Sequence, residues 1–321
     1  MAVRFGIFVP QGWRMDLQEI ADPVEQYEAM TRVAKAVDAL PAYDSIWVYD
    51  HFHPIPRPSV GTVFECWTIT AALARDTQRV HVGQMVTCNG YRNPALLAKM
   101  ASTVDVLSHG RLYCGLGAGW YEDEWRAYGY GFPPARERLG ALREACQVIT
   151  KMWTEDRPVF HGEHYTIEGP INEPKGVRTP HPPLWIGGGG EKVTLRLVAE
   201  YADACNVGGG DPETLRHKLD VLRAHCEAVG RPYDAIIHST SLEDLVLLRP
   251  GETPAAGIER AHSATGVSFA GTTQQLAERI QALVEAGADY LIVSFPRLAY
   301  DHEPLYRFAD EVIPQFAPSG T

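Results

Sequence analysis

At 321 residues the chain is long enough for one large α/β barrel or for two average domains, and 45% hydrophobic against 21% charged residues is the balance of a globular protein with a buried core. A formal net charge of −11, with no long Lys/Arg block, argues against nucleic acid or an anionic membrane surface as partner and for a small-molecule ligand. Six cysteines, Cys66, Cys88, Cys114, Cys146, Cys205 and Cys226, are scattered without a C-x-x-C pair and read as reduced core thiols, not as a zinc site.

Short apolar runs alternate with helical patterns from end to end, the layout of parallel βα units. A strand is predicted over Val3–Val9, then a helix from Val24 to Leu40 with apolar residues at Val24, Tyr27, Met30, Val33, Val37 and Leu40. Strands follow at Ser45–Tyr49 and Val80–Val86, separated by a helix over Phe64–Ala74. Asn93-Pro94 marks a helix start, Asn as N-cap and Pro in the first turn, for a helix through Leu107. Leu112–Leu116 and Leu184–Ile186 are the fourth and fifth strands, with a long helix over Arg136–Trp153 between them. A sixth strand near Ala204–Val207 precedes a helix over Leu215–Val229, and Ile236–Leu248 is strand-like. A helix at Leu276–Ala286, a strand at Tyr290–Phe295 and a closing helix over Pro304–Phe316 complete the chain. Eight strands, nearly all with a helix, predict a TIM (β/α)8 barrel; a doubly wound sheet is the alternative.

Two segments interrupt the repeat, 158–183, rich in Pro, Gly, His and aromatics, and 249–266, which opens with Pro250-Gly251. Long barrel insertions often build lids or walls, so 158–183 is expected to shape the site. No composition shift or flexible linker divides residues 1–321, which read as one domain. No run approaches about 18 apolar residues, and the first ten residues carry a strand pattern, so the expected location is the cytoplasm.

Ligands in a barrel sit at the C-terminal ends of the strands. There, Leu184-Trp185-Ile186 runs into Gly187, Gly188, Gly189 and Gly190 and then an amphipathic helix, while the fourth strand runs into Gly117, Ala118, Gly119 and Trp120. Glycine amides and the unpaired N–H groups of a helix start favour an anion such as phosphate. Neither junction completes G-x-G-x-x-G and there is no Walker sequence, but two such junctions point to one large cofactor. Asp50-His51-Phe52-His53 follows the second strand, and an imidazole beside a carboxylate can transfer a proton near neutral pH or hydrogen-bond a cofactor ring. Away from a strand end the same pair would read as exposed loop. His51 and His53 lack a third ligand, so no metal is expected, and no G-x-S-x-G elbow or Cys–base pairing supports a nucleophile. Trp120, Tyr121, Tyr128 and Tyr130 either line a pocket for a flat molecule or pack a loop onto the core.

Ser45-x-Trp47-x-x-Asp50-His51-Phe52, Tyr91-Arg92-Asn93-Pro94, Ser108-His109-Gly110-Arg111-Leu112, Gly115-Leu116-Gly117-Ala118-Gly119-Trp120 and Gly187–Gly190 occur in order across most of the chain. Together they resemble the bacterial luciferase-like flavin and deazaflavin oxidoreductases, most of all the branch that uses the 5-deazaflavin coenzyme F420, in which Asp-His-Phe follows the second strand. The resemblance implies Asp50 and His51 beside the ring as catalytic residues. Met85, Val86 and Thr87 would lie behind the ring, on a bulge with a non-prolyl cis peptide, and Gly187–Gly190 would hold the phosphate, with Gly117, Ala118, Gly119 and Trp120 also at the cofactor. It implies hydride transfer between F420 and a small organic substrate, with an FMN-dependent monooxygenase as the alternative and a non-catalytic flavin-binding protein as a third reading. Relatives often form homodimers, although no segment here marks an interface. Similar sugar-phosphate dehydrogenases carry an acidic residue where this chain has Ala118, so their substrate does not transfer; Ala118 and Trp120 suggest a more apolar wall.

Overall fold

The computed structural model describes residues 3–57 and 59–316. Eight parallel strands close on themselves: β1 (Arg4–Phe8), β2 (Ser45–Val48), β3 (His81–Gln84), β4 (Leu112–Gly117), β5 (Leu184–Gly187), β6 (Ala204–Asn206), β7 (Ile237–Leu242) and β8 (Tyr290–Val293). Closure comes from pairing Val82 with Leu112 and Gly83 with Tyr113, which joins β3 to β4 and completes the predicted barrel. The doubly wound alternative is thereby excluded, because an open sheet keeps two edges.

The outer helices are α1 (Pro23–Ala39), α2 (Cys66–Asp76), α3 (Pro94–Leu107), α4 (Glu122–Ala127), α5 (Ala135–Thr154), α6 (Thr194–Tyr201), α7 (Pro212–Val229), α8 (Pro254–Ala261), α9 (Thr273–Glu285) and α10 (Glu303–Arg307). Their starts follow capping chemistry: the Asp22 carboxylate accepts from the Val24 and Glu25 amides, and Asn93 accepts from the Ala95 amide, as the Asn-Pro signal predicts. The α7 helix begins earlier than its apolar period suggests because Asp211 caps it and Pro212 fits the first turn. None of the helices among the described residues is long and apolar enough to cross a membrane.

Aliphatic side chains fill the layer between barrel and helices, whereas the barrel interior is aromatic, built from Trp47, Tyr113, Trp185 and Tyr290. Trp47 meets Trp185 edge-on at 4.7 Å between ring centroids. It fits because two neighbouring strands carry glycine: a Cβ on Gly6 or Gly83 would stand 2.5 Å from the indole. The floor beneath the ligand face is therefore packed, not hollow.

The strand ends carry a second close fit. The Met85–Val86 peptide is cis, at the place the resemblance implied. The Val86 side chain lies against β4 and β5, where a Cβ on Gly117 would stand 2.6 Å from one methyl and a Cβ on Gly187 2.8 Å from the other. Part of the glycine pattern thus makes room for the protein's own valine. Gly117→Ala is expected to cost about 1–3 kcal/mol by overpacking, and Val86→Ala in the same chain to restore part of it; a urea melt of the two singles and the double measures the coupling. Additive losses would contradict this packing.

Four expectations need correction. The strand-like run Ile236–Leu248 breaks at Glu243-Asp244, giving β7 and a separate strand, Leu245–Leu247, that pairs with Phe269–Gly271 outside the barrel. Residues 249–266 are not irregular throughout, since they contain α8. Residues 158–183 do not wall the site. None of them lines the cavity; their hairpin folds back along α5, where Glu144 accepts from the Glu163, His164 and Tyr165 amides and the Tyr165 hydroxyl accepts from Asn89 Nδ2 at 3.0 Å, beside the strand-end loops. Within them, Val159–His161 pairs with Thr166–Glu168, and Asn172 and Val177 bond to side chains of α3. The closing helix is shorter than predicted: α10 ends at Arg307, and Phe308–Phe316 continues in wider and then tighter turns.

Candidate active site

A cavity of about 580 Å³ opens at the C-terminal ends of the strands, within the size range of small-molecule sites. Of the sequence-predicted residues, Asp50, His51, Met85, Val86, Gly117, Ala118, Gly119, Trp120, Gly187 and Gly188 line it. Thr87, Gly189 and Gly190 do not. Thr87 turns inward and accepts from Trp67 Nε1 at 3.1 Å, Gly189 lies against Lys218, and Gly190 packs against Thr194.

His51 is held on three sides. Its ring stacks on Trp13 at 4.3 Å and meets Tyr121 and Trp120 edge-on. Its Nδ1 stands 2.9 Å from Glu124 Oε2, and Nε2 has no protein partner. A ring nitrogen fixed by a carboxylate leaves the other presented to the cavity. Glu124, fully buried, also accepts from the Phe52 and His53 amides at 2.8 Å and from the Tyr91 hydroxyl at 2.9 Å. Burial alone would push the Glu124 carboxyl up, but the hydrogen bond and charge of His51 and the two amides outweigh it and hold it below its usual range. Burial, with Cys88 and Glu124 nearby, raises the Tyr91 hydroxyl far above its ordinary value, so it stays a donor.

Asp50 is committed elsewhere. Its Oδ2 accepts from Arg92 Nη1 at 2.6 Å and from the Cys88 amide at 2.8 Å, and its Oδ1 accepts from Arg92 Nη2 at 3.0 Å. Three donors on two oxygens identify an ionised carboxylate that anchors the segment after the Val86 bulge. Burial pushes this carboxyl up and Arg92 opposes it; Asp50 in turn keeps Arg92 above its ordinary value although burial works the other way. Both oxygens of Asp50 therefore carry donors from the strand end, although the residue also lines the cavity.

Across the barrel from His51, β6 ends at Asn206, and there the wall is made by Gly188, Thr194, Asn206, Gly209 and Arg279. Gly188 adopts φ +121°, a backbone position that favours glycine. Arg279, from α9, has a buried Nε without a partner and forms no ion pair among the described residues. A guanidinium on a cavity wall without a carboxylate partner is suited to an anion. Thr194 begins α6, whose first amides add to the same field.

Between these two regions, Glu243 and Asp244 follow β7 and hold Arg14 from the β1 loop. Neither cluster of three or more metal-ligating side chains nor a reactive thiol accompanies them: no such cluster occurs among the described residues, and burial pushes the Cys88 thiol up to about 12.

The family model described as luciferase-like monooxygenase matches residues 3–244. The chain belongs to the luciferase-like monooxygenase family. Within reach of this family, the chain is 32% identical over 219 residues to an F420-dependent glucose-6-phosphate dehydrogenase from Kineococcus radiotolerans, covering 67% of this chain and 62% of that protein's length. It is 27% identical to the enzyme of the same name from Amycolatopsis mediterranei, over 86% of this chain and 91% of that one. It is also 25% identical to an FMNH2-dependent dimethylsulfone monooxygenase from Pseudomonas putida, over 78% of each. Solved structures share the fold: an F420-dependent secondary alcohol dehydrogenase (TM-score 0.74, 19% identity, 99% of each chain) and a monooxygenase from Streptomyces bottropensis (TM-score 0.79, 19% identity, 98% of this chain and 100% of that one).

Proposed function

We propose that the protein is an F420-dependent oxidoreductase that moves a hydride between the deazaflavin and a small organic substrate. The observation that carries this reading is the pairing of His51 with Glu124 across the cavity from Arg279, whose Nη2 donates to the Gly210 carbonyl at 3.4 Å and whose Nε has no partner among the described residues. The residues fit such a cofactor: an orphaned buried guanidinium nitrogen and the Gly188 backbone suit its phosphate, and the Met85–Val86 bulge with Gly117–Gly119 suits its flat ring. The named activities of the Kineococcus and Amycolatopsis relatives support F420 over other carriers.

When bound, the deazaflavin supplies a ring carbon that accepts or donates hydride. The chain's own task is the accompanying proton. In an alcohol oxidation, C–H leaves as hydride and the hydroxyl proton passes to His51 Nε2; in the reverse direction Nε2 returns it. Glu124 fixes the ring so that Nε2 and not Nδ1 faces the substrate. Trp13, Trp120 and Tyr121 exclude water around the imidazole.

An FMN-dependent monooxygenase is the second reading, favoured by the Pseudomonas relative. Parallel titrations of the protein with F420 and FMN, followed by quenching of tryptophan fluorescence, separate the two, since Trp13 and Trp120 line the cavity. F420 is expected to bind more tightly. Tight binding of FMN alone would overturn the assignment. In the same assay Arg279→Met should weaken F420 by about tenfold to a hundredfold and leave the phosphate-free deazaflavin nearly unchanged, because a charged hydrogen bond contributes about 1.5–3 kcal/mol. Equal weakening of both forms would remove Arg279 from the phosphate.

A further inference from the structure

We infer that the substrate presents a hydrogen-bond-donating head group, an alcohol or a protonated amine on an apolar body, and that Glu243 reads it. The inference deepens the proposed function and rests on the cavity being the reaction chamber. Glu243 and Asp244 stand where β7 ends, on the cavity wall, with Arg14 from the β1 loop between them. Arg14 Nη1 donates to Glu243 Oε2 at 2.5 Å, Nη2 donates to Asp244, and Nε approaches Asp244 Oδ1 at 3.3 Å. Thr265 adds a donor to Asp244 Oδ2 at 3.1 Å, and the Tyr49 hydroxyl one to Glu243 Oε2 at 3.3 Å. Most of the guanidinium's five N–H groups are thus spent on the two carboxylates and on Thr265, and its charge is outnumbered by theirs.

Glu243 Oε1 is different. It has no hydrogen-bond partner among the described residues, and the Glu243 side chain, 33% exposed, lines the cavity. Two carboxylates against one guanidinium leave this wall with a formal charge of −1, and its free atom is an acceptor. Trp13, Tyr49 and Trp120 supply flat apolar surface alongside, suited to an aromatic or aliphatic body and to the face of a cation. A phosphate or carboxylate at this position would meet like charge and an acceptor without a donor, so the wall discriminates against anions as well as for donors. The opposite charge of the Arg279 region keeps the two functions apart.

The test uses benzylamine, benzyl alcohol, benzoate and benzyl phosphate as probes, each titrated by calorimetry against the protein saturated with F420. At least one of the two donors is expected to bind about tenfold more tightly than either anion. Glu243→Gln should remove about tenfold for the amine and little for the alcohol, because the amide keeps an acceptor oxygen, and Glu243→Leu should remove the preference for both. An anion that binds as tightly as the donors, a preference that survives Glu243→Leu, or no binding of any probe overturns the inference. F420 titration of each variant, with its thermal melt, reports folding. Failure of the F420 reading shows as lost cofactor binding in the parent protein, whereas failure of this inference leaves that binding intact.

Discussion

Replacing His51 with asparagine is expected to lower kcat by about 10²- to 10⁴-fold while changing the F420 dissociation constant by no more than a few fold. Asparagine keeps a polar side chain near Glu124 but cannot carry the proton that Nε2 transfers. Glu124→Gln should act on the same step through orientation: the amide keeps the size of the side chain while losing an acceptor oxygen, and because each oxygen takes two of the four donors, two of them lose their acceptor. Its signature is a fall in kcat with a changed pH profile, not a loss of cofactor. The sign of the Glu124 contribution is fixed by its lowered carboxyl. A depressed acid stabilises the folded state above its unfolded value, about 4.3, and that contribution is lost as pH falls through the lower folded value. A loss of activity between pH 5 and 8 is therefore not protonation of Glu124. If the His51→Asn protein turns over at the parental rate, the proton-transfer role of His51 is wrong; F420 binding without turnover in the parent protein is the result that would point to a carrier.

The second large effect is on stability. Removing Arg92, for instance as Arg92→Met, leaves the Asp50 carboxylate buried with only the Cys88 amide, and breaking a buried pair in this way costs about 3–5 kcal/mol. Arg92 also holds Glu65, the N-cap of α2, so the damage reaches the helix behind the bulge. The double variant Asp50→Asn/Arg92→Met should recover a substantial part of the loss, because no unpaired charge is then buried. Urea unfolding of the two singles and the double gives the coupling directly. A loss below about 1 kcal/mol for Arg92→Met would mean that the pair is exposed in solution and screened.

The eight strands, nearly all helices and the glycine and Asp50-His51 parts of the cavity wall are legible in the sequence because each is set locally: an apolar run followed by glycine, or an Asn-Pro cap before a periodic helix. Asp50 and His51 are legible for the same reason. Their partners are not. Glu124 lies 73 residues from His51, inside Glu122-Asp123-Glu124, which has the look of a solvated acidic helix start; only the third carboxylate turns inward, beside the buried Trp125. Arg92 belongs to the Tyr91-Arg92-Asn93-Pro94 motif but serves a carboxylate 42 residues away. A signal for both existed, since a carboxylate and an imidazole buried at a strand end each need a partner.

The misassigned insertion has a plainer cause. Composition marks 158–183 as unusual, but the segment precedes a strand, and its hairpin packs on α5 and Asn89 outside the cavity lining. The segment after β7 follows one, and Glu243, Asp244 and Ser268 from that stretch do line the cavity. Reading Ile236–Leu248 as one strand hid the polar Glu243-Asp244 break where β7 ends.

In the proposed reading, proton transfer at His51 and the cofactor phosphate at Arg279 lie on opposite sides of one cavity. A crystal structure of the protein with F420 bound tests it most directly. The account predicts the deazaflavin ring between the Met85–Val86 bulge and His51, with phosphate oxygens within hydrogen-bond distance of Arg279 and the Gly188 backbone. A ring turned toward Asn206, or a phosphate seated away from Arg279, would contradict it.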